Sequence, residues 1–118
     1  MYMEGQNVKF LTRADEILLL AVLRLKYNAY GTTIIKEVKK RTRKELTFGS
    51  LWVSLDSLHK RGLINKRLAD EAPSRGGRKK IYYTLTISGV KVLQEARKIQ
   101  ISLWQGVPRL LKKYQEGR

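Results

Sequence analysis

Polar positions disappear between Ile17 and Leu23, where Ile-Leu-Leu-Leu-Ala-Val-Leu runs without a break. Just ahead, Thr12-Arg13-Ala14-Asp15 has capping-box spacing, with Thr12 as N-cap and Asp15 reaching back to its backbone N–H. A helix is therefore predicted from residue 13 to 25 or 26. An ordinary surface helix shows a single apolar stripe. This one has no polar face, so it needs cover on more than one side. In so short a chain a partner subunit is the simplest second cover, with Leu19 and Leu20 as the expected contact.

Residues 28–31 (Asn-Ala-Tyr-Gly) read as a turn. A second helix follows from Thr32 or Thr33, with Ile34, Ile35 and Val38 inward. Thr47 caps a third helix, whose Leu51, Leu55 and Leu58 form one core-facing stripe. The opposite face carries Gly49, Val53, Asp56, Ser57 and Lys60. Ser50, Ser54 and Arg61 lie on one flank, Trp52 and His59 on the other. Gly62 ends the helix as a left-handed C-cap. Two strands are predicted over 63–68 and 80–85, with Ile81, Tyr83 and Leu85 on one face. Between them lies an extended turn, Pro73-Ser-Arg-Gly-Gly-Arg78. Thr86 caps a last long helix, where Val92, Ala96, Ile99 and Leu103 form a coiled-coil-like seam. Gly106 and Pro108 break it after Trp104, and a basic amphipathic tail with Leu110, Leu111 and Tyr114 follows.

Three helices and then a hairpin with a basic tip is the order of a winged helix-turn-helix domain. The fold expected is mainly α (α+β): an N-terminal arm over 1–10, the winged domain over 11–86, and a dimerisation helix with basic tail over 87–118. A small strand at Leu46 is expected between the second and third helices. In this architecture the third helix enters the DNA major groove and the hairpin tip reaches the neighbouring backbone or minor groove.

Charge sharpens that picture. The 118 residues hold 25 Lys+Arg against 10 Asp+Glu, a formal net charge of +15. Residues 1–35 hold four basic and three acidic side chains, residues 36–80 fourteen and five, residues 81–118 seven and two. The excess thus centres on the middle segment, as expected of a protein that meets a polyanion. There is no Cys and one His, which argues against disulfides, thiolate or His-based metal sites, and an enzyme. No cofactor is implied. The longest apolar run is far short of the roughly 20 residues that span a bilayer. A cytoplasmic protein without a membrane segment is expected.

Several motifs together resemble the PadR family of transcriptional regulators. Leu11-Thr-Arg13 through Leu23-Arg-Leu25, with Ala29-Tyr-Gly31, are similar to its first helix and turn. Phe48-Gly-Ser-Leu-Trp-Val-Ser-Leu-Asp-Ser-Leu58 and Lys60-Arg-Gly-Leu-Ile64 are similar to its recognition helix and first wing strand. Arg75-Gly-Gly-Arg-Lys-Lys-Ile-Tyr-Tyr-Thr-Leu-Thr86 with Gly89 is similar to its wing and final-helix cap. The resemblance covers roughly residues 10–105. It implies a homodimeric repressor-type protein of the short subgroup, whose last helix builds the dimer, often against the partner's first helix. Trp52 stands where the family usually has Tyr, and His59 where an acid is common. In some short members a tryptophan on the last helix lines a pore in the dimer and stacks planar ligands. Trp104 falls in that stretch, which leaves a small aromatic ligand or a plain interface anchor as its role.

On this reading double-stranded DNA, an inverted repeat, is expected to meet Thr47, Gly49, Ser50, Trp52, Val53, Ser54 and Ser57 of the third helix. Few of these read bases directly, although Val53 can touch a thymine methyl. Trp52 is open between rim packing and a phosphate contact. Phosphates are assigned to Lys39, Lys40, Arg43, Lys44, Lys60 and Arg61. The wing contributes Arg75, Gly76, Gly77, Arg78 and Lys79, two glycines for close approach and cations for a narrow groove. Leu19, Leu20, Val92, Ala96, Ile99 and Leu103 are assigned to the dimer. A basic RNA- or ribosome-associated protein is the alternative drawn from the same charge, though RNA readers display aromatic platforms.

Overall fold

The computed structural model describes residues 11–70 and 79–117. Its first helix, α1 (Arg13–Leu25), starts at Thr12, whose hydroxyl accepts from the Asp15 N–H at 3.0 Å. The other half of the expected capping box is replaced. The Asp15 carboxylate accepts from the Arg61 guanidinium, at 2.9 and 3.2 Å. A single 3-10 turn over Lys26–Asn28 leads to α2 (Gly31–Thr42). This helix starts earlier than the Thr32 or Thr33 boundary predicted. Thr33 acts from inside the first turn: its hydroxyl accepts from the Tyr30 N–H at 2.9 Å and donates to the Asn28 carbonyl at 2.7 Å.

The third helix, α3 (Phe48–Lys60), opens at Thr47, whose hydroxyl accepts from the Ser50 N–H at 3.1 Å. It closes in a Schellman motif. Leu63 N–H donates to the Leu58 carbonyl at 3.0 Å and Gly62 N–H to His59 at 2.9 Å, with Gly62 left-handed at φ 75°.

Strands β1 (Ile64–Asp70) and β2 (Lys79–Leu85) pair antiparallel, with Ile64 opposite Leu85 and Asp70 opposite Lys79. Leu46 lies in no strand. The sheet has two strands, and β2 is tied to the loop between the first and second helices, where Tyr83 N–H donates to the Ala29 carbonyl at 2.8 Å. Helix α4 (Ile87–Trp104) begins at Thr86, and left-handed Gly106 turns the chain into α5 (Val107–Gln115). The basic tail is thus a separate short helix.

Leu19, Ile34, Leu51, Leu55, Leu58, Ile64 and Tyr83 fill the core and are essentially inaccessible. Burial explains the predicted pattern: Tyr83 faces in, with Ile81 and Leu85 packed beside it. A phenol in such a place resists ionisation. The Tyr83 pKa is pushed up to about 12, first by burial and then by the nearby Asp56 carboxylate. Leu19 belongs wholly to this chain's own core, which corrects its assignment to a partner contact. Leu20, 40% exposed, is the residue of that pair available outside.

Candidate nucleic-acid interface

Burying Leu51, Leu55 and Leu58 forces the opposite side of α3 outward. Thr47, Gly49, Ser50, Val53 and Ser57 are exposed there, and Val53 keeps 72% of its surface. Ser54 is half-buried. Asp56 and Lys60 pair across one turn at 3.2 Å on the same side. Trp52 stands on the flank. Its ring centre is 6.5 Å from that of Tyr83, and with Phe48 it lies against Gly31 at the start of α2. The packing alternative drawn for Trp52 therefore has a concrete partner, while 41% of the residue stays accessible.

The six expected phosphate cations do not form one set. Arg61 makes a two-pronged contact to Asp15, a largely buried carboxylate, and ties the end of α3 to the start of α1. Lys39 pairs with Glu45 at 3.0 Å and Lys60 with Asp56, both on the surface. Lys40, Arg43 and Lys44 are exposed and make no ion pair among the described residues. Arg43 occupies the left-handed C-cap of α2 at φ 66°. Its neighbour Lys44 donates its backbone N–H to the Thr42 hydroxyl at 3.1 Å. These bonds fix the turn that presents Arg43 and Lys44 beside the N-terminus of α3.

In the wing, Arg75, Gly76, Gly77 and Arg78 lie outside the described residues. Lys79 enters only as the first residue of β2. The outer face of the hairpin carries a cluster that sequence reasoning missed. The Tyr30 and Tyr82 rings meet edge-on at 5.3 Å, Arg67 sits 4.7 Å over Tyr82, and the Lys80 ammonium sits 4.0 Å over Tyr30. Strand parity places Tyr82 opposite in facing to Tyr83, but only the Arg67–Tyr82 register and the return of Tyr30 to β2 complete the group.

Along α4, Val92, Ala96 and Ile99 are partly buried, whereas Leu103 is 66% exposed. Ala96, Ile99 and Leu103 face an open groove of about 460 Å³ whose other wall is Leu11, Arg13 and Glu16 at the start of α1. Trp104 is half-exposed at the end of the helix. Among the described residues no cluster of His, Asp or Glu suits a metal ion, and no helix is long and apolar enough to cross a membrane.

No curated protein matches the chain. Solved structures do. A PadR-like transcription factor from Bacteroides fragilis is 23% identical, with a TM-score of 0.69 over 82% of this chain and 88% of that one. A PadR-like regulator from Bacillus cereus is 21% identical, with a TM-score of 0.64 over 89% and 93%. A PadR family regulator from Clostridium difficile is 28% identical, with a TM-score of 0.59 over 86% and 97%. These likenesses agree with the mainly helical winged fold. The family model for PadR-like transcriptional regulators matches residues 19–95, which span α1 from Leu19 onward, α2, α3, the wing and the first half of α4. The chain belongs to the PadR-like family of transcriptional regulators, DNA-binding proteins rather than enzymes.

Proposed function

We propose that the chain works as a cytoplasmic homodimer that represses transcription by binding an inverted-repeat operator in double-stranded DNA. The observation that carries this reading is the outer side of α3. Gly49, Ser50, Val53 and Ser57 stand uncovered there, directly after a turn that holds Arg43 and Lys44, neither in an ion pair among the described residues. In helix-turn-helix proteins the N-terminal turns of this helix meet base edges, while nearby cations meet phosphates. Lys40, Arg43 and Lys44, with Arg75, Arg78 and Lys79 of the wing, supply the phosphate contacts. Lys39 and Lys60 join them readily, because exposed ion pairs hold with only about 0–1 kcal/mol. Arg61, held by Asp15, does not.

The dimer is assigned to Leu20 and to the α4 stripe Val92, Ala96, Ile99 and Leu103. Leu103 keeps 66% of its surface at the end of that stripe, an apolar surface that a second copy would cover. A planar ligand stacking on Trp104 within that contact would couple small-molecule binding to operator release.

The test is binding-site selection from random duplex with the full chain, followed by gel shifts on the selected duplex, a random duplex and RNA, with light scattering for stoichiometry. A dimer that prefers the inverted repeat supports the reading. A monomer with equal affinity for all three overturns it, and a preference for RNA favours the RNA-associated alternative.

A further inference from the structure

Two residues on the uncovered side of α3, one helical turn apart, are poor choices for a helix. Glycine exposes backbone and loses more conformational freedom than alanine, and a β-branched valine loses side-chain rotamers. Within this chain neither choice has a return. A Cβ on Gly49 would meet nothing within 4 Å, and its φ is not in the left-handed region, so neither space nor backbone asks for glycine. Gly89 shows the contrast, since a Cβ there would run into the Leu63 carbonyl oxygen. Val53 is 72% exposed, so its methyls are packed against little. The i, i+4 spacing puts the open notch of Gly49 beside the methyls of Val53. Ser50 and Ser57 border them, no Arg, Asn or Gln stands beside them, and the charged residues of that face, Asp56 and Lys60, are paired with each other at 3.2 Å.

We infer that Gly49 and Val53 form a methyl-reading ridge: the notch lets α3 approach the major-groove floor, and Val53 packs on the C5-methyl group of a pyrimidine, thymine in ordinary DNA. The inference rests on the duplex-DNA reading above. It makes operator preference depend on an apolar contact, where Arg- or Asn-based readers depend on hydrogen bonds. Thymine is the base whose major-groove edge offers that methyl.

The test uses the full-length protein and the duplex recovered by selection. Its Kd is measured beside that of the same duplex synthesised with deoxyuridine for every thymidine, which deletes only the methyl groups. Removing one buried methyl from each half-site should weaken wild-type binding roughly tenfold or more, since a buried carbon is worth about fourfold. Val53→Ala, at an exposed position that folding does not need, should bind both duplexes with nearly equal affinity. Equal affinity of the wild type for the two duplexes overturns the ridge while leaving DNA binding intact. So does an equal loss in wild type and Val53→Ala, which would assign the effect to DNA shape. Failure to select any duplex overturns the ridge together with the DNA-binding reading.

Discussion

The hydroxyl of Thr86 donates to the backbone carbonyl of Gly62 at 2.7 Å. Thr86 thereby joins the residue that ends α3 to the residue that starts α4, and its Oγ1 accepts from the Gly89 N–H at 3.0 Å. Thr86 N–H completes the link by donating to the Leu63 carbonyl at 3.1 Å. Leu85-Thr86 with Gly89 is thus a mechanical joint between α3 and α4.

Gly89 and Gly49 should respond to alanine in opposite ways. Gly89→Ala drives a methyl into the Leu63 carbonyl and should lower unfolding free energy by about 1–3 kcal/mol, the usual range for overpacking. Gly49→Ala meets open space and should raise stability by up to about 1 kcal/mol, from helix propensity. It should at the same time weaken duplex binding. Urea titrations and binding curves on both variants check this, and a destabilised Gly49→Ala would contradict it.

Tyr83 gives the protein a base-sensitive core. Its folded pKa of about 12 lies above the ordinary 10.0, so the folded state holds the phenolic proton more tightly than the unfolded chain does. The stabilisation is complete below pH 10 and is lost as the pH rises from 10 to 12. Stability measured across that window should fall less steeply in Tyr83→Phe than in the wild type. Parallel curves would mean that Tyr83 ionisation does not drive the loss.

The basic residues should separate by what holds them. Arg43→Ala and Lys44→Ala should each reduce the salt slope of duplex binding by about 1, with little change in stability. Arg75→Ala with Arg78→Ala should reduce it by about 1–2. Arg61→Ala should leave the slope unchanged and lower stability instead, because its partner is Asp15. A slope change in Arg61→Ala would mean that the ion pair opens on DNA.

Leu103→Asp should break the dimer, since it puts a carboxylate on the exposed end of the α4 stripe where a partner's apolar surface is expected. Light scattering that still shows two copies would exclude this stripe as the contact.

What the sequence made legible was local. Thr12, Thr47 and Thr86 cap helices through residues three positions on, so each start could be read in place. Strand parity likewise turned Tyr83 inward. Pairings across the fold escaped. Arg61 looked like a free cation because Asp15 lies 46 positions away. Leu19 looked like Leu20 because a continuous apolar run does not mark which side its own core covers. The Tyr30–Tyr82 contact depends on a backbone bond from β2 to Ala29, which no local sequence pattern marks.

The affinity of Val53→Glu for the selected duplex, measured beside circular dichroism and light scattering of the same protein, tests α3 as the DNA-reading helix most directly. Val53 is outside the core, so fold and assembly should match the wild type. A carboxylate facing DNA should weaken binding at least about tenfold, equivalent to 1.4 kcal/mol or more. Unchanged affinity in a correctly folded dimer would contradict the assignment of α3 as the DNA-reading helix.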